Sequence, residues 1–180
     1  MIALVDESIL LSRCYALGCV VVPLDRRVST RRAVRRVAPG RTFHWTKERP
    51  EVRRAMLGVA SQEALHLLGY VRRQVPRREQ ESARAALLTA LLADLAELGV
   101  VELLVESRQE HNDIRDRNLI AAQQRKDLAL AQLDYRHTGP RQEPLLWLAD
   151  AFAGAVTAAV RGESHHLAAL PAELLVVRTL

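Results

Sequence analysis

The chain has 180 residues, 49% of them apolar and only 4% aromatic, so it can bury a core of ordinary domain size built mainly from Leu, Val and Ala. Its formal net charge of +5 is unevenly spread: residues 1–80 carry 16 basic and 7 acidic side chains (+9), and residues 81–180 carry 10 and 14 (−4). No apolar run approaches the ~18–20 residues that span a bilayer, and Asp6 and Glu7 interrupt the opening apolar run, so neither a membrane span nor a signal peptide is expected, and a cytoplasmic location is.

A basic first half points to a polyanion partner such as nucleic acid, although a solvated arginine-rich surface reads the same way. Nearly all the cations are arginine, with only Lys47 and Lys126 as exceptions. Cys14 and Cys19 are five residues apart in or beside one apolar run, which puts them on opposite faces of an extended strand. Buried free thiols are therefore expected, rather than a disulfide or a metal pair.

In chain order, Ile2 to Asp6 is an apolar run ending in acid, as a strand covered on both faces tends to read. Tyr15 to Val22 is a second such run closed by Pro23, and the short connection makes an antiparallel hairpin plausible. Ser29-Thr30 can cap a basic helix to about Val37, stopped by Pro39-Gly40, and Arg41 to Trp45 reads as a third strand. A helix follows from near Glu48 to Ala60, with Pro50 in its first turn, and then a strand over Leu65 to Val75. Pro76 introduces a long helix with an apolar stripe of Leu87, Leu88, Leu91, Leu92, Leu95 and Leu98, ended by Gly99. Val101 to Glu106 is a strand, Asn112 to Arg125 a helix and Asp127 to Tyr135 a candidate strand. An Ala-rich helix runs from after Pro144 to about Arg161, and residues 172–178 form a last short strand. Hairpin strands followed by crossover helices imply one mixed sheet with helices on its faces, in a single domain over residues 1–180.

Asp6 and Glu106 each close an apolar strand, where functional groups gather in open α/β sheets. Asp150 lies in a helix with almost no other charge, on a stripe with Leu146, Ala153 and Thr157. A carboxylate buried there must be paired, protonated or metal-bound. Three carboxylates from two strands and a helix suit Mg²⁺ or Mn²⁺, hard cations that prefer oxygen ligands. The structural alternatives are backbone hydrogen bonds for Asp6, Arg108 as partner for Glu106, and an arginine of the basic half for Asp150. Glu7 is a secondary ligand candidate that points away from Asp6 if the strand continues. Asp113 and Asp116, three apart on one helix face, read first as charged surface, with Asp113 the better candidate for a second metal; Asp134 reads as a partner of Arg136. His44, between Phe43 and Trp45, suits a phosphate-orienting or proton-shuttling role, or a structural one, and His137 opens the loop before the Asp150 helix. His165 and His166 read as an exposed pair without a role. Ser8 has no triad spacing around it, and there is no glycine-rich phosphate loop, CxxC pair or Rossmann pattern.

Four motifs stand in a recognisable order: Val5-Asp-Glu-Ser8, Phe43-His-Trp45, Val105-Glu-Ser107 and Pro144-Leu-Leu-Trp-Leu-Ala-Asp150. From about residue 2 to 160 the chain resembles a bacterial family of uncharacterised proteins with an N-terminal Asp-Glu-Ser signature and a late Leu-Ala-Asp helix, within the ribonuclease-H-like superfamily. The resemblance implies a ribonuclease-H-like sheet, antiparallel strands first and parallel ones after, and a two-metal acidic site on Asp6, Glu106 and Asp150, with Asp113 or Glu7 less secure. Two departures stand out: Ile9 follows the signature where the family usually has Gly, and only Glu48 or Glu51 offers a weak counterpart to the superfamily's acid on the first crossover helix. The function expected is metal-dependent hydrolysis of DNA or RNA, with His44 or His137 assisting and Arg31, Arg32, Arg35, Arg36, Arg53 and Arg54 gripping phosphates. The alternatives are a non-catalytic nucleic-acid-binding or interaction module, and a subunit whose leucine-rich helix, residues 81–98, serves a homodimer.

Overall fold

The computed structural model describes all 180 residues. Strand β1 (Ile2–Leu10) turns back through Leu11–Arg13 into β2 (Cys14–Val22), followed by helices α1 (Arg27–Val37) and α2 (Pro50–Gln62) and strand β3 (His66–Arg73). Helix α3 (Gln80–Glu97), β4 (Glu102–Glu106), α4 (Glu110–Gln124), β5 (Asp134–Thr138), α5 (Leu146–Val160), the short α6 (His165–Ala168) and β6 (Leu175–Thr179) complete the chain. The six strands form one sheet in the order β5-β4-β1-β2-β3-β6. The pairs β1–β2 and β2–β3 are antiparallel, whereas β1–β4, β4–β5 and β3–β6 pair in parallel. The expected mixed sheet flanked by helices is present, with antiparallel pairing among the first three strands and parallel pairing for the later ones. No helix is long and apolar enough to cross a membrane.

The alternation of side chains along β1 sorts the core into two layers. Ile2 and Leu4 pack with α1, α2 and α5, while Ala3 and Val5 pack with α3. Every residue of β2 is buried, as in a strand covered on both sides. Cys14 and Cys19 are free thiols on opposite faces of that strand. The stripe Leu87, Leu88, Leu91, Leu92 and Leu95 of α3 is buried against the sheet, so it is consumed by the core and leaves no apolar seam for the homodimer considered from sequence. Gly99, at φ +64°, ends that helix in the left-handed region, where glycine meets no Cβ penalty.

Helix α5 covers the other face, and from Leu146 to Ala158 all its residues are buried except Asp150. It lies on the sheet at Gly18 of β2. A Cβ there would stand 2.6 Å from the Ala153 backbone nitrogen and 2.9 Å from the Ala149 carbonyl oxygen, atoms that cannot rotate aside. Gly18→Ala is therefore expected to push α5 off the sheet and destabilise the fold by about 1–3 kcal/mol, the usual range for overpacking. A denaturant midpoint equal to that of the wild type would rule out this close approach.

Several local expectations are corrected. Residues 41–44 form no strand: they cross the surface of α5, with Phe43 and Trp45 buried and His44 exposed, an alternation that an extended segment on a helix shares with a strand. Trp45 begins a 3-10 turn and rests on Gly154, whose missing Cβ would fall 2.2 Å from the indole Cγ. Strand β5 starts only at Asp134. Residues 127–133 are turns that deliver Leu130 and Leu133 to the core. Helix α1 begins at Arg27, so Ser29 and Thr30 lie inside it, and Ser29 Oγ donates back to the Arg26 carbonyl. Strand β1 does not stop at Asp6 but runs on to Leu10.

Candidate carboxylate cleft

Register places the first two acids. The parallel β1–β4 ladder ends with Val5 opposite Val105, so Asp6 and Glu106 follow as neighbours on adjacent strands. Leu4 and Leu104, two residues earlier, belong to the core layer under α5, and a period of two puts Asp6 and Glu106 on that same face. The third acid comes from the helix. Gly18 is the antiparallel partner of Asp6 and the seat of Ala153, and Asp150 lies one helical turn before Ala153. Farther along, Ser8 Oγ and Thr157 Oγ1, 2.9 Å apart, repeat the same strand-to-helix contact.

Asp6, Glu106 and Asp150 thus line one cavity of about 530 Å³, together with Glu7, Thr42, His44, Lys47, Arg141, Gln142 and Trp147. Asp6 Oδ1 accepts the Glu7 N–H at 2.7 Å. Asp150 Oδ2 accepts the Trp45 N–H at 2.9 Å and lies 3.2 Å from His44 Nδ1. None of the three is paired with an arginine or lysine, which removes two of the structural alternatives; His44 is the one ion-pair partner among them. The alternative in which Asp6 accepts a backbone hydrogen bond is realised, but on one oxygen only.

The electrostatic consequence is plain. Burial, then the charges of Glu106 and Asp150, raise the Asp6 carboxyl well above its ordinary pKa. Burial, then the Asp150 charge, raise Glu106. Burial raises Asp150, against the Trp45 N–H and His44. Three oxygen donors that repel one another in a partly dry cleft are the donor set a hard divalent cation would neutralise. No group of three or more His, Cys, Asp or Glu side chains is, however, drawn together closely enough to form a preformed coordination shell.

The remaining candidates are distributed differently. Glu7 borders the cleft, but its carboxylate turns to the opposite face, where it pairs with Arg84 and lies 3.7 Å from Arg108. Asp113 and Asp116 are buried rather than surface residues. Asp113 accepts from Ser107 Oγ at 2.6 Å and from the Arg108 N–H at 2.9 Å. Although burial opposes its ionisation, these bonds hold the Asp113 carboxyl below its ordinary pKa. His137 does not reach the cleft: its Nε2 lies 3.3 Å from Asp116 and its Nδ1 3.0 Å from the Tyr135 hydroxyl. Asp134 forms no pair with Arg136, which reaches Glu102 instead at 2.9 Å. His166 is buried edge-on against Trp45, with ring centroids 4.9 Å apart, and so is not part of an exposed pair. Glu48 is buried and bound to Arg41, and Glu51 lies outside the cleft.

Sequence reasoning overlooked Thr42, Lys47, Arg141, Gln142 and Trp147 as lining residues. For Lys47 a signal existed, since it is one of only two lysines in an arginine-rich chain. For Arg141 and Gln142 there was none, because they sit in a turn whose position depends on where α5 docks.

Fold and cavity together define a class: a mixed α/β protein with a carboxylate-lined cleft between one face of its sheet and the helix packed on it. No protein-family model matches the chain, and no curated protein matches it. Among solved structures, the chain is similar to that of the PCNA:RNase HII complex from Archaeoglobus fulgidus, at 16% identity and a TM-score of 0.49, over 93% of this chain and 75% of that one. A likeness of that degree identifies neither a reaction nor a partner.

Proposed function

We propose that this protein is a divalent-metal-dependent nuclease that hydrolyses phosphodiester bonds of DNA or RNA. The observation that carries the reading is the convergence of Asp6, Glu106 and Asp150 in one cleft, none of them ion-paired with an arginine or lysine. These three would hold Mg²⁺ or Mn²⁺. Such an ion, when bound, lowers the pKa of water and stabilises charge on phosphoryl and leaving oxygens. The protein's own groups supply the rest. His44, half-exposed at the cleft and tied to Asp150, is placed to take or give a proton at the reacting water or leaving group. Lys47 and Arg141 line the same cleft, make no ion pair with an acid, and suit the non-bridging oxygens of a phosphodiester. Glu7 and Asp113, held by Arg84 and by Ser107, take no part as ligands in this reading.

A second reading is a non-catalytic nucleic-acid-binding module. What favours it is the absence of a preformed coordination shell. A cleavage panel of single- and double-stranded DNA and RNA, each with Mg²⁺, Mn²⁺ or chelator, separates the two. The nuclease reading expects cleavage of at least one substrate with metal and none with chelator. Binding without cleavage under every condition would leave only the second reading.

A further inference from the structure

The cleft does not end at the carboxylates. A shallow depression of about 290 Å³ shares Thr42, Arg141 and Trp147 with it and is walled by Arg35 and Arg41. Arg35 in turn lines a third depression, on the outer side of α1, with Arg31, Arg32 and Arg36. The three form one continuous path from the acids, across the 38–42 loop and onto α1. Neither of the outer depressions contains an acidic residue.

The arginines along this path are not equivalent. Arg41 is held by Glu48 and Arg31 by Glu143, so these two belong to the scaffold. Arg53, counted among the phosphate grips from sequence, also belongs there: its Nε donates to the Trp45 carbonyl at 2.8 Å and its guanidinium lies over the Trp45 ring. Arg32, Arg35, Arg36 and Arg141 are exposed and make no ion pair. Arg32, Arg35 and Arg36 stand at i, i+3 and i+4, one stripe of like charge that weakens an isolated helix. No Phe, Trp or Tyr in the chain is exposed, so splayed bases find no stacking platform here.

We infer that this path is a phosphate track: the sugar-phosphate backbone of a nucleic acid leaves the cleft over the 38–42 loop, with successive phosphates on Arg141, Arg35 and the Arg32/Arg36 stripe. The inference deepens the nuclease reading and rests on it for the position of the cleft. The contacts are to the backbone and not to bases, so binding is independent of sequence.

The test is the salt dependence of binding to a fluorescent duplex of mixed sequence, in chelator, so that no cleavage is required. Each lost phosphate contact on a duplex lowers the slope of log Kobs against log salt by about 0.9, so the triple variant Arg32→Ala/Arg35→Ala/Arg36→Ala is expected to lower it by about 2.7. Alanine is the better helix former, so α1 is retained. The control Arg13→Ala/Arg73→Ala/Arg77→Ala removes the same charge outside the path and should leave the slope unchanged. An unchanged slope in the triple variant, or an equal fall in the control, overturns the track. If the slope shifts as expected but the wild type cleaves nothing in the panel, the track stands and the nuclease reading falls; cleavage without a shift is the reverse.

Discussion

Asp6→Asn is expected to abolish metal-dependent cleavage while making the metal-free protein more stable. Asp6 is the carboxylate whose pKa is raised through burial and the charges of both Glu106 and Asp150. An amide keeps the oxygen that accepts the Glu7 N–H but removes the repelled charge. The loss of activity should be on the order of 10³-fold or more, because a metal ligand supports the transition-state charge at least as much as a single oxyanion donor does. The gain in stability has a definite pH signature. All three cleft acids have raised folded pKa values, so the folded protein retains protons that the unfolded chain has released. Metal-free stability must then fall as pH rises from near the ordinary carboxylate value through the raised ones, and level off above them. Asp6→Asn should flatten that fall, and Mg²⁺ should offset it in the wild type only. Thermal melts across pH, with and without Mg²⁺, read all of this together. Cleavage by Asp6→Asn at the wild-type rate would remove Asp6 from the site.

The second large effect lies on the opposite face of the sheet. Arg84→Met is expected to cost about 3–5 kcal/mol of stability, the usual range when one partner of a buried ionic network is removed. The Arg84 side chain is 1% exposed; its Nε lies 3.0 Å from both Asp116 oxygens and its Nη2 2.7 Å from one of them, and it also pairs with Glu7. Burial opposes ionisation of Asp116, but His137, Arg84 and Arg108 outweigh it and hold the carboxyl far below its ordinary value. Without Arg84, Asp116 keeps His137 and Arg108, while Glu7 keeps only Arg108, at 3.7 Å. The sign with pH is opposite to that of the cleft acids. A depressed carboxyl contributes its full stability above the unfolded pKa and loses it as pH falls through the folded one, so the gap between wild type and Arg84→Met should narrow in acid. The released Glu7 charge also lies next to Asp6, whose pKa it already raises, so the variant should bind metal differently even where it remains folded. Denaturant titrations at neutral and acidic pH test this. A cost below about 1 kcal/mol would mean that the network behaves as a solvated surface cluster.

The two faces divide the acids by their partners. On the α5 face, Asp6, Glu106 and Asp150 are left without arginine; on the α3–α4 face, Glu7 and Asp116 are tied down by Arg84 and Arg108. Adjacent residues Asp6 and Glu7 are sent to opposite fates by one step of strand pleat.

Much of this was legible in the chain itself. Apolar runs of strand length marked β1, β2 and β4, and the leucine period marked α3, because local periodicity is a property of neighbouring residues. The three cleft acids stood out for the same reason: each lies at the end of, or within, an apolar segment whose buried side must face the core. What the sequence could not assign was partnership between residues far apart along the chain. Arg84 meets Asp116 and Glu7, Arg136 meets Glu102 rather than its neighbour Asp134, and His137 turns to Asp116 instead of the cleft. Those choices depend on the register of parallel strands joined by long crossovers and on the seat of α5 over Gly18. Register and helix docking are set by packing across the whole sheet, so local pattern determined which residues are acidic and which face they take, and only the tertiary structure decided which of them are neutralised.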